Sequence, residues 1–270
     1  MGTVKDTFAA LLPLITAKTD TAHLDRMTAH YRRALGRLDR LAEPGNGDGP
    51  LHPQHVAATI DRLAAADAVF TADVGTPCIW AARYVHMNGT RRLIGSFSHG
   101  SMANALPQAI GAQAAQRDRQ VIALSGDGGL SMLLGELLTL GQRKLPVKIV
   151  VFNHGALSFV ELEMKAAGIV TFGTDLQNPD FAAVAQALGI FGRRVEQPAD
   201  LESALAEAFA HDGPALVDVV TARQELSIPP TITVEQAKGF SLYAIRTILA
   251  GRADELLDLV STNVARRILD

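Results

Sequence analysis

Apolar side chains recur in steps of three and four from Leu24 through Met27, Tyr31, Leu35, Leu38 and Leu41, which predicts one stripe of a helix over residues 20–42. Asp20 is a candidate N-cap, because its carboxylate can accept an orphan backbone N–H. Glycine and proline then crowd Glu43-Pro44-Gly45-Asn46-Gly47-Asp48-Gly49-Pro50 and predict a linker. From His52 the pattern changes. Helices are predicted over 54–66, 101–116, 131–143, 181–188 and 201–211. Strands are predicted over 68–72, 121–125, 147–152 and 215–221, with a shorter one at 193–196. The best strands are nearly continuous apolar runs rich in valine and isoleucine, as parallel strands buried on both faces are. The expected fold class is α/β: a doubly wound, mostly parallel sheet with an N-terminal helical segment and a C-terminal helical tail. Its ligand site should lie beyond the carboxyl ends of the strands. Pro229-Pro230 stops regular structure. After it, Phe240, Leu242, Ile245, Ile248 and Leu249 predict one amphipathic helix, and Leu256, Leu257, Val260, Val264, Ile268 and Leu269 another. The chain thus divides into 1–50, 51–225 and 226–270.

Composition changes this picture little. The 270 residues are 48% apolar, enough for one sizeable core. A net charge of -3 gives no basic excess, so no nucleic-acid partner is expected. The single cysteine, Cys78, excludes a disulfide framework within the chain and fits a reducing compartment. It reads as a small buried residue. The first twenty residues make a poor signal peptide, and no apolar run suits a membrane span, so a cytoplasmic location is expected.

The chemistry concentrates in Val121–Phe159. A buried strand ends in Gly126-Asp127-Gly128-Gly129, and a helix follows. Glycines let backbone approach a ligand closely, and a helix start offers free N–H groups to a diphosphate. Asp127 adds a hard oxygen suited to Mg2+. One strand later, Asn153-His154-Gly155-Ala156 stands at the next strand end, so two parallel strands would aim their loops at one spot. A bare Gly-Asp-Gly is equally read as a tight strand–helix turn. The spacing to Asn153-His154 is what resembles a thiamine-diphosphate motif.

The resemblance widens over HPQHVAATI, ADVGTPCIWAARYVHMNGTRRLIGSFSHGSMANALPQAIGAQ, KLPVKIVVFN, ELEMKAAG, DGPALVDVV and QELSIPPTITVEQAKGFSL. Together these resemble the pyruvate:quinone oxidoreductases (bacterial pyruvate oxidases). The resemblance implies a thiamine-diphosphate-binding fold, of which this chain is the diphosphate-holding, C-terminal part. Residues 3–48 would end the family's flavin-binding middle domain. It implies that Asp127 ligates Mg2+, that Gly128 and Gly129 approach the diphosphate, and that the Ala156 carbonyl completes the protein ligands. Gly100, Ser101 and Met102 would flank the cofactor, with Met102 pressing thiamine into its bent form; otherwise Met102 is an ordinary core residue. Gly75, Thr76, Ser98 and His99 would touch phosphate or pyrimidine, and Gly155 and Leu157 would line the cofactor. Phe159 would lie between thiamine and flavin, or pack in the core. Glu136 would support the loop from its helix, and His52 and His55 read as surface helix residues.

Two departures stand out. His154 occupies the place of the family's ligating asparagine, and imidazole favours softer ions, so Mn2+ joins Mg2+ as a candidate and Asn153 could substitute as ligand. The family's ylid-promoting glutamate belongs to a domain outside this chain, and so does most of the FAD site, so no catalytic residue is expected here. The implied reaction is oxidation of pyruvate to acetate and CO2, with electrons passing through FAD to quinone. It would need a homo-oligomer or a complementing chain. The alternatives are a non-catalytic remnant that binds the cofactor or dimerises, and a carboligase of the acetolactate synthase type, against which the tail argues. The family's tail docks peripherally on the inner face of the cell membrane, and Arg266 and Arg267 among the tail's apolar residues are compatible with that. A tail packed on its own domain explains the same pattern.

Overall fold

A computed structural model describes residues 2–44, 50–226 and 233–265. Pro229-Pro230, Arg266, Arg267, Ile268, Leu269 and the glycines of the predicted linker lie outside these, as does the side chain of Val264. The chain divides into two compact units, Met1–Arg40 and Leu41–Asp270. The first holds α1 (Val4–Leu11), which Thr3 caps by accepting from the Asp6 N–H, and nearly all of α2 (Ala22–Ala42). The helix starts at Ala22, so Thr21 rather than Asp20 holds the capping position, and Asp20 accepts the Ala22 N–H at 2.9 Å from one residue further out. Leu24, Met27 and Tyr31 of the predicted stripe stand exposed.

The second unit is built on six parallel strands in the order β2-β1-β3-β4-β6-β5: β1 (Val69–Ala72), β2 (Arg92–Gly95), β3 (Val121–Gly126), β4 (Lys148–Asn153), β5 (Phe191–Val195) and β6 (Ala215–Val220). The central strands carry apolar side chains on both faces and are covered on both. On one face α5 (Ala105–Ala115), α7 (Leu137–Arg143) and α9 (Phe181–Ala187) bury Leu106, Leu137, Leu140 and Phe181 against Val121, Ala123, Ile149 and Val151. On the other lie α3 (Pro53–Leu63), α4 (Thr76–Tyr84) and α10 (Leu201–Ala210). The chain runs outward to β2 from β1 and the opposite way from β3, so a topological switch point lies between β1 and β3.

Several expected elements are shorter than their hydrophobic pattern. The helix expected over 101–116 begins at Ala105, because Gly100 and Ala103 take φ of 76° and 60° and Asp73 accepts the Ala105 N–H. The helix expected over 131–143 breaks in two. A short α6 (Asp127–Met132) starts directly at the strand end, a 3-10 turn holds Glu136, and α7 follows. Pro53 starts α3, so His52 precedes the helix rather than lying on its surface. Its Nδ1 sits 2.6 Å from Glu225 Oε2, with the ring only 13% exposed. The His55 Nδ1 sits 2.9 Å from the Ala42 carbonyl. Cys78 is half-buried, not buried, and its thiol donates to the Gly75 carbonyl.

The tail folds as α11 (Val234–Leu249) and α12 (Ala253–Val260). Thr233 and Gln236 form a capping box at the start of α11. That helix packs on α8 (Ser158–Ala166) so closely that a Cβ on Gly239 would strike the Ala166 carbonyl. Tyr243 and Thr247 are buried there, while Leu249 stays 81% exposed. Among the described residues no helix is long and apolar enough to cross a membrane.

At the opposite end of the sheet from the site, Lys148 is buried at the start of β4 and donates to the carbonyls of His211 and Gly213. Burial pulls its ammonium down to about 8, against a smaller upward pull from Asp212. In the unfolded chain the group keeps its ordinary value of 10.5. Between these values the unfolded state holds a proton that the folded state has released, so stability rises with pH across that window. Urea titrations from pH 7.5 to 10 should show this rise, and Lys148→Met should flatten it.

Candidate cofactor-binding site

The parallel register sets the site. Gly126 pairs with Phe152, so Asp127 and Asn153 leave the sheet side by side. The Asp127 side chain turns back across the gap. Its Oδ2 accepts the backbone N–H of His154 at 3.1 Å and of Gly155 at 2.8 Å, and the Asn178 side-chain amide at 2.8 Å. Its Oδ1 accepts only the Gly128 N–H, at 2.8 Å. One oxygen is therefore committed to the neighbouring turn and the other has lone-pair capacity left for a cation.

Gly155 takes φ 69°, which lets the 153–156 turn fold its N–H groups toward the carboxylate. Ala156 is buried and pairs with Asp175 in an isolated antiparallel bridge. The His154 ring is nearly buried. Its Nδ1 lies 3.6 Å from Asp127 Oδ2, Ser158 Oγ stands 3.2 Å from both ring nitrogens, and Thr76 Oγ1 lies 3.5 Å from Nε2. Burial lowers the imidazole pKa, outweighing Asp127 and Glu161, which raise it. Burial thus favours the neutral ring, the form in which an imidazole nitrogen can ligate a metal.

Asn153 does not face the same space. It is buried, and its amide donates to Asp218 Oδ1 at 2.9 Å while its oxygen accepts from Asn178. Both ends of the Asn153 side chain are thus hydrogen-bonded inside the protein.

Gly128 and Gly129 are required for different reasons. A Cβ on Gly128 would meet Leu157, Leu176 and Met102 at 3.1–3.3 Å, so three apolar side chains close tightly on the loop at this position. Met102 is 37% exposed rather than a core methionine. A Cβ on Gly129 would collide with the Asp73 carboxylate, whose Cγ lies 2.8 Å away. Asp73 follows β1 at the switch point, is 2% exposed, and ties the site together by accepting the N–H of Ala105 at 2.8 Å and of Gly126 at 3.2 Å. Burial pushes its carboxyl up, against the backbone amides that pull it down. Sequence reading missed Asp73. An acid directly after an apolar strand was the available signal.

The remaining expected residues ring these strand ends. Gly75 takes φ 140°, and Thr76 starts α4 beside His154. Ser98, His99 and Gly100 lie exposed after β2, and Ser101 is half-buried. Phe159 is half-buried in the first turn of α8, and Glu136, in the 3-10 turn before α7, accepts from the Thr139 hydroxyl at 2.9 Å. Nothing among the described residues gathers three or more His, Cys, Asp or Glu side chains around one point. A cation here would therefore be held by Asp127, by His154 or a carbonyl such as that of Ala156, and by the ligand's own oxygens. A carboxylate oxygen with one donor, an imidazole and a glycine-rich strand end fit a diphosphate bound through a divalent ion.

Residues 73–219 match the family described as thiamine pyrophosphate enzyme, C-terminal TPP binding domain. The chain belongs to this family. It is 36% identical over 249 residues to a Bacillus subtilis (strain 168) protein titled "Putative thiamine pyrophosphate-containing protein YdaP", covering 92% of the chain and 43% of that protein. It is 35% identical over 185 residues to the acetolactate synthase large subunit of Parasynechococcus marenigrum, covering 67% and 30% respectively. The corresponding subunit of Corynebacterium glutamicum is 28% identical over 253 residues, covering 91% and 40%. The chain thus spans less than half the length of each. Thiamine pyrophosphate is thiamine diphosphate, so the cofactor class expected from Asp127 and the 153–156 turn agrees with the family. The finer resemblance to pyruvate oxidases is not what these relatives carry in their names.

Gly129→Ala should destabilise the TPP-binding domain by about 1–3 kcal/mol, the usual range for overpacking. Urea unfolding measures it, and stability equal to wild type would mean that Asp73 does not press on this loop.

Proposed function

We propose that this chain holds thiamine diphosphate and a divalent cation at Asp127, and serves as the C-terminal part of an enzyme that oxidises pyruvate to acetate and CO2. The observation that carries the binding reading is the uneven use of the Asp127 carboxylate: Oδ2 takes the 154–155 amides and the Asn178 amide, whereas Oδ1 takes the Gly128 N–H and keeps a lone pair for a cation. Asp127 supplies charge, and His154 or the Ala156 carbonyl supplies a further ligand. The backbone of Gly128 and Gly129 would approach the phosphates, and Met102, whose Cε reaches the loop, shapes the apolar wall. When bound, thiamine diphosphate supplies the nucleophilic carbon and the electron sink for decarboxylation. The activating glutamate and the FAD that passes electrons to a quinone would come from outside this chain, through a homo-oligomer or a complementing chain. A peripheral contact with the inner face of the cell membrane belongs to this reading.

The pyruvate oxidase assignment is supported by the sequence blocks that run past the matched domain into QELSIPPTITVEQAKGFSL. A second reading, a carboligase of the acetolactate synthase type, is favoured by the named relatives of that activity. Products separate them in the protein carrying the complementary domains. Acetate with reduction of a quinone analogue marks the oxidase, and acetolactate without acceptor reduction marks the carboligase.

Calorimetry on the full chain tests the binding claim. Thiamine diphosphate should bind with Mg2+ or Mn2+, and the imidazole should favour Mn2+. Asp127→Ala should weaken binding by about 100-fold, as loss of a charge-assisted contact does. Absence of binding with either metal would favour the non-catalytic remnant. The chain alone, given pyruvate, cofactor and metal, should turn over no faster than background; substantial acetate production would contradict the need for outside groups.

A further inference from the structure

We propose that Asn178 is a positioning residue for the divalent-ion site, acting through Asp127 rather than by touching the cofactor. The proposal rests on the binding reading above and deepens it.

A single amide group joins two strand ends. Asn178 Nδ2 donates to Asp127 Oδ2, after β3, at 2.8 Å and to Asn153 Oδ1, at the end of β4, at 2.9 Å. Its orientation is dictated from further away. Asn153 must present oxygen to Asn178, because its own amide nitrogen is committed to Asp218 Oδ1. Asp218 is fully buried in β6, and its other oxygen accepts the Phe181 N–H at 3.1 Å and Arg194 Nη1 at 2.7 Å. In the chain from Arg194 through Asp218, Asn153 and Asn178 to Asp127 the donors thus converge on two carboxylates: Arg194 and Asn153 donate to Asp218, and Asn178 donates to both Asn153 and Asp127. Neither asparagine can flip without setting donor against donor or acceptor against acceptor.

The segment that carries Asn178 has no helix or strand of its own, yet it is pinned on the side facing the turn. Leu157 N–H donates to the Thr174 carbonyl at 2.8 Å and Leu176 N–H to the Gly155 carbonyl at 2.9 Å. Thr174 Oγ1 donates to buried Glu161, and Arg223 bonds both Glu161 and Asp175. Asn178 is thus delivered by a braced strap that also contributes Leu176 to the cradle over Gly128. Its contact supplies one of the three donors on Asp127 Oδ2. Without it the carboxylate gains freedom to rotate, and Oδ1 spends less time where a cation needs it.

The test uses the full chain with Asn178→Ala, and with Gln177→Ala as a control on the exposed neighbouring residue. Mn2+ binding in the presence of thiamine diphosphate is followed by electron paramagnetic resonance, and amide exchange by mass spectrometry without ligand. The expected result for Asn178→Ala is a loss of Mn2+ affinity of about tenfold, the low end for removing an outer partner of a metal ligand. Exchange should accelerate at His154 and Gly155 while β3, β4 and β6 keep wild-type protection, and Gln177→Ala should match wild type. Unchanged affinity and exchange would overturn the proposal, as would a uniform acceleration across the strands, which would make Asn178 a general stabiliser. If the wild-type chain binds no Mn2+ with thiamine diphosphate, the binding reading falls, and the local exchange result alone decides the positioning role.

Discussion

The site depends on one carboxylate being held by backbone. Asp127 leaves β3 in register with Asn153 of β4, and the N–H groups of the following two residues close on its Oδ2. A buried carboxylate with no donors would be costly and would hold its proton. Three donors remove that penalty for one oxygen and fix the plane of the group, so the second oxygen points where the sheet ends. The parallel sheet is what makes this possible. Parallel neighbours bring consecutive βα turns to one edge, and the switch point between β1 and β3 opens space there.

The same edge shows how buried acids divide the labour. Asp73 closes the loop before α5 onto the end of β3, and the lack of a Cβ at Gly129 lets it do so. Asp218 organises the interior side through Asn153 and Arg194; burial pushes its carboxyl up, and those partners draw it back down. Glu161 is drawn below its ordinary value despite its burial, because Arg223, Lys165 and Thr174 surround it. Each of these acids is spent on protein donors. On Asp127 the donors are divided three to one, and its less occupied Oδ1 is the atom on which the proposed cation binding rests.

Much of this was legible in the chain. Val121–Ser125 and Val147–Phe152 announce buried parallel strands because nearly every side chain in them is apolar, and Asp127 with the 153–156 turn follows from where they stop. Strand β2 was not legible: Arg92–Gly95 is a four-residue edge strand with alternating exposure and a charged start, too short for periodicity to register. Helix α8 was missed because it buries Glu161 and Lys165, so its inward face reads as polar. The broken helix after Asp127 was read as one piece because apolar spacing continues through the 3-10 turn that interrupts it.

Asp73, Asn178 and Asp218 escaped notice for a different reason. Their importance is decided by which strands are neighbours; for Asp73 its place directly after an apolar strand was a local hint, and for the other two no local pattern carries that information. Asp73 matters because β1 lies beside β3, and Asp218 because β6 lies beside β4. Asn178 matters because its strap folds back over the turn that β4 delivers. The same reasoning bears on His154. An imidazole placed where a short amide would otherwise reach the metal must find room for its ring, and here Thr76 and Ser158 line that room. Ser158 reaches both ring nitrogens and Thr76 only Nε2, while Nδ1 lies nearest the Asp127 carboxylate. A proton on Nδ1 therefore suits the acceptor it faces, and the lone pair of the neutral ring then falls on Nε2, between the two hydroxyls.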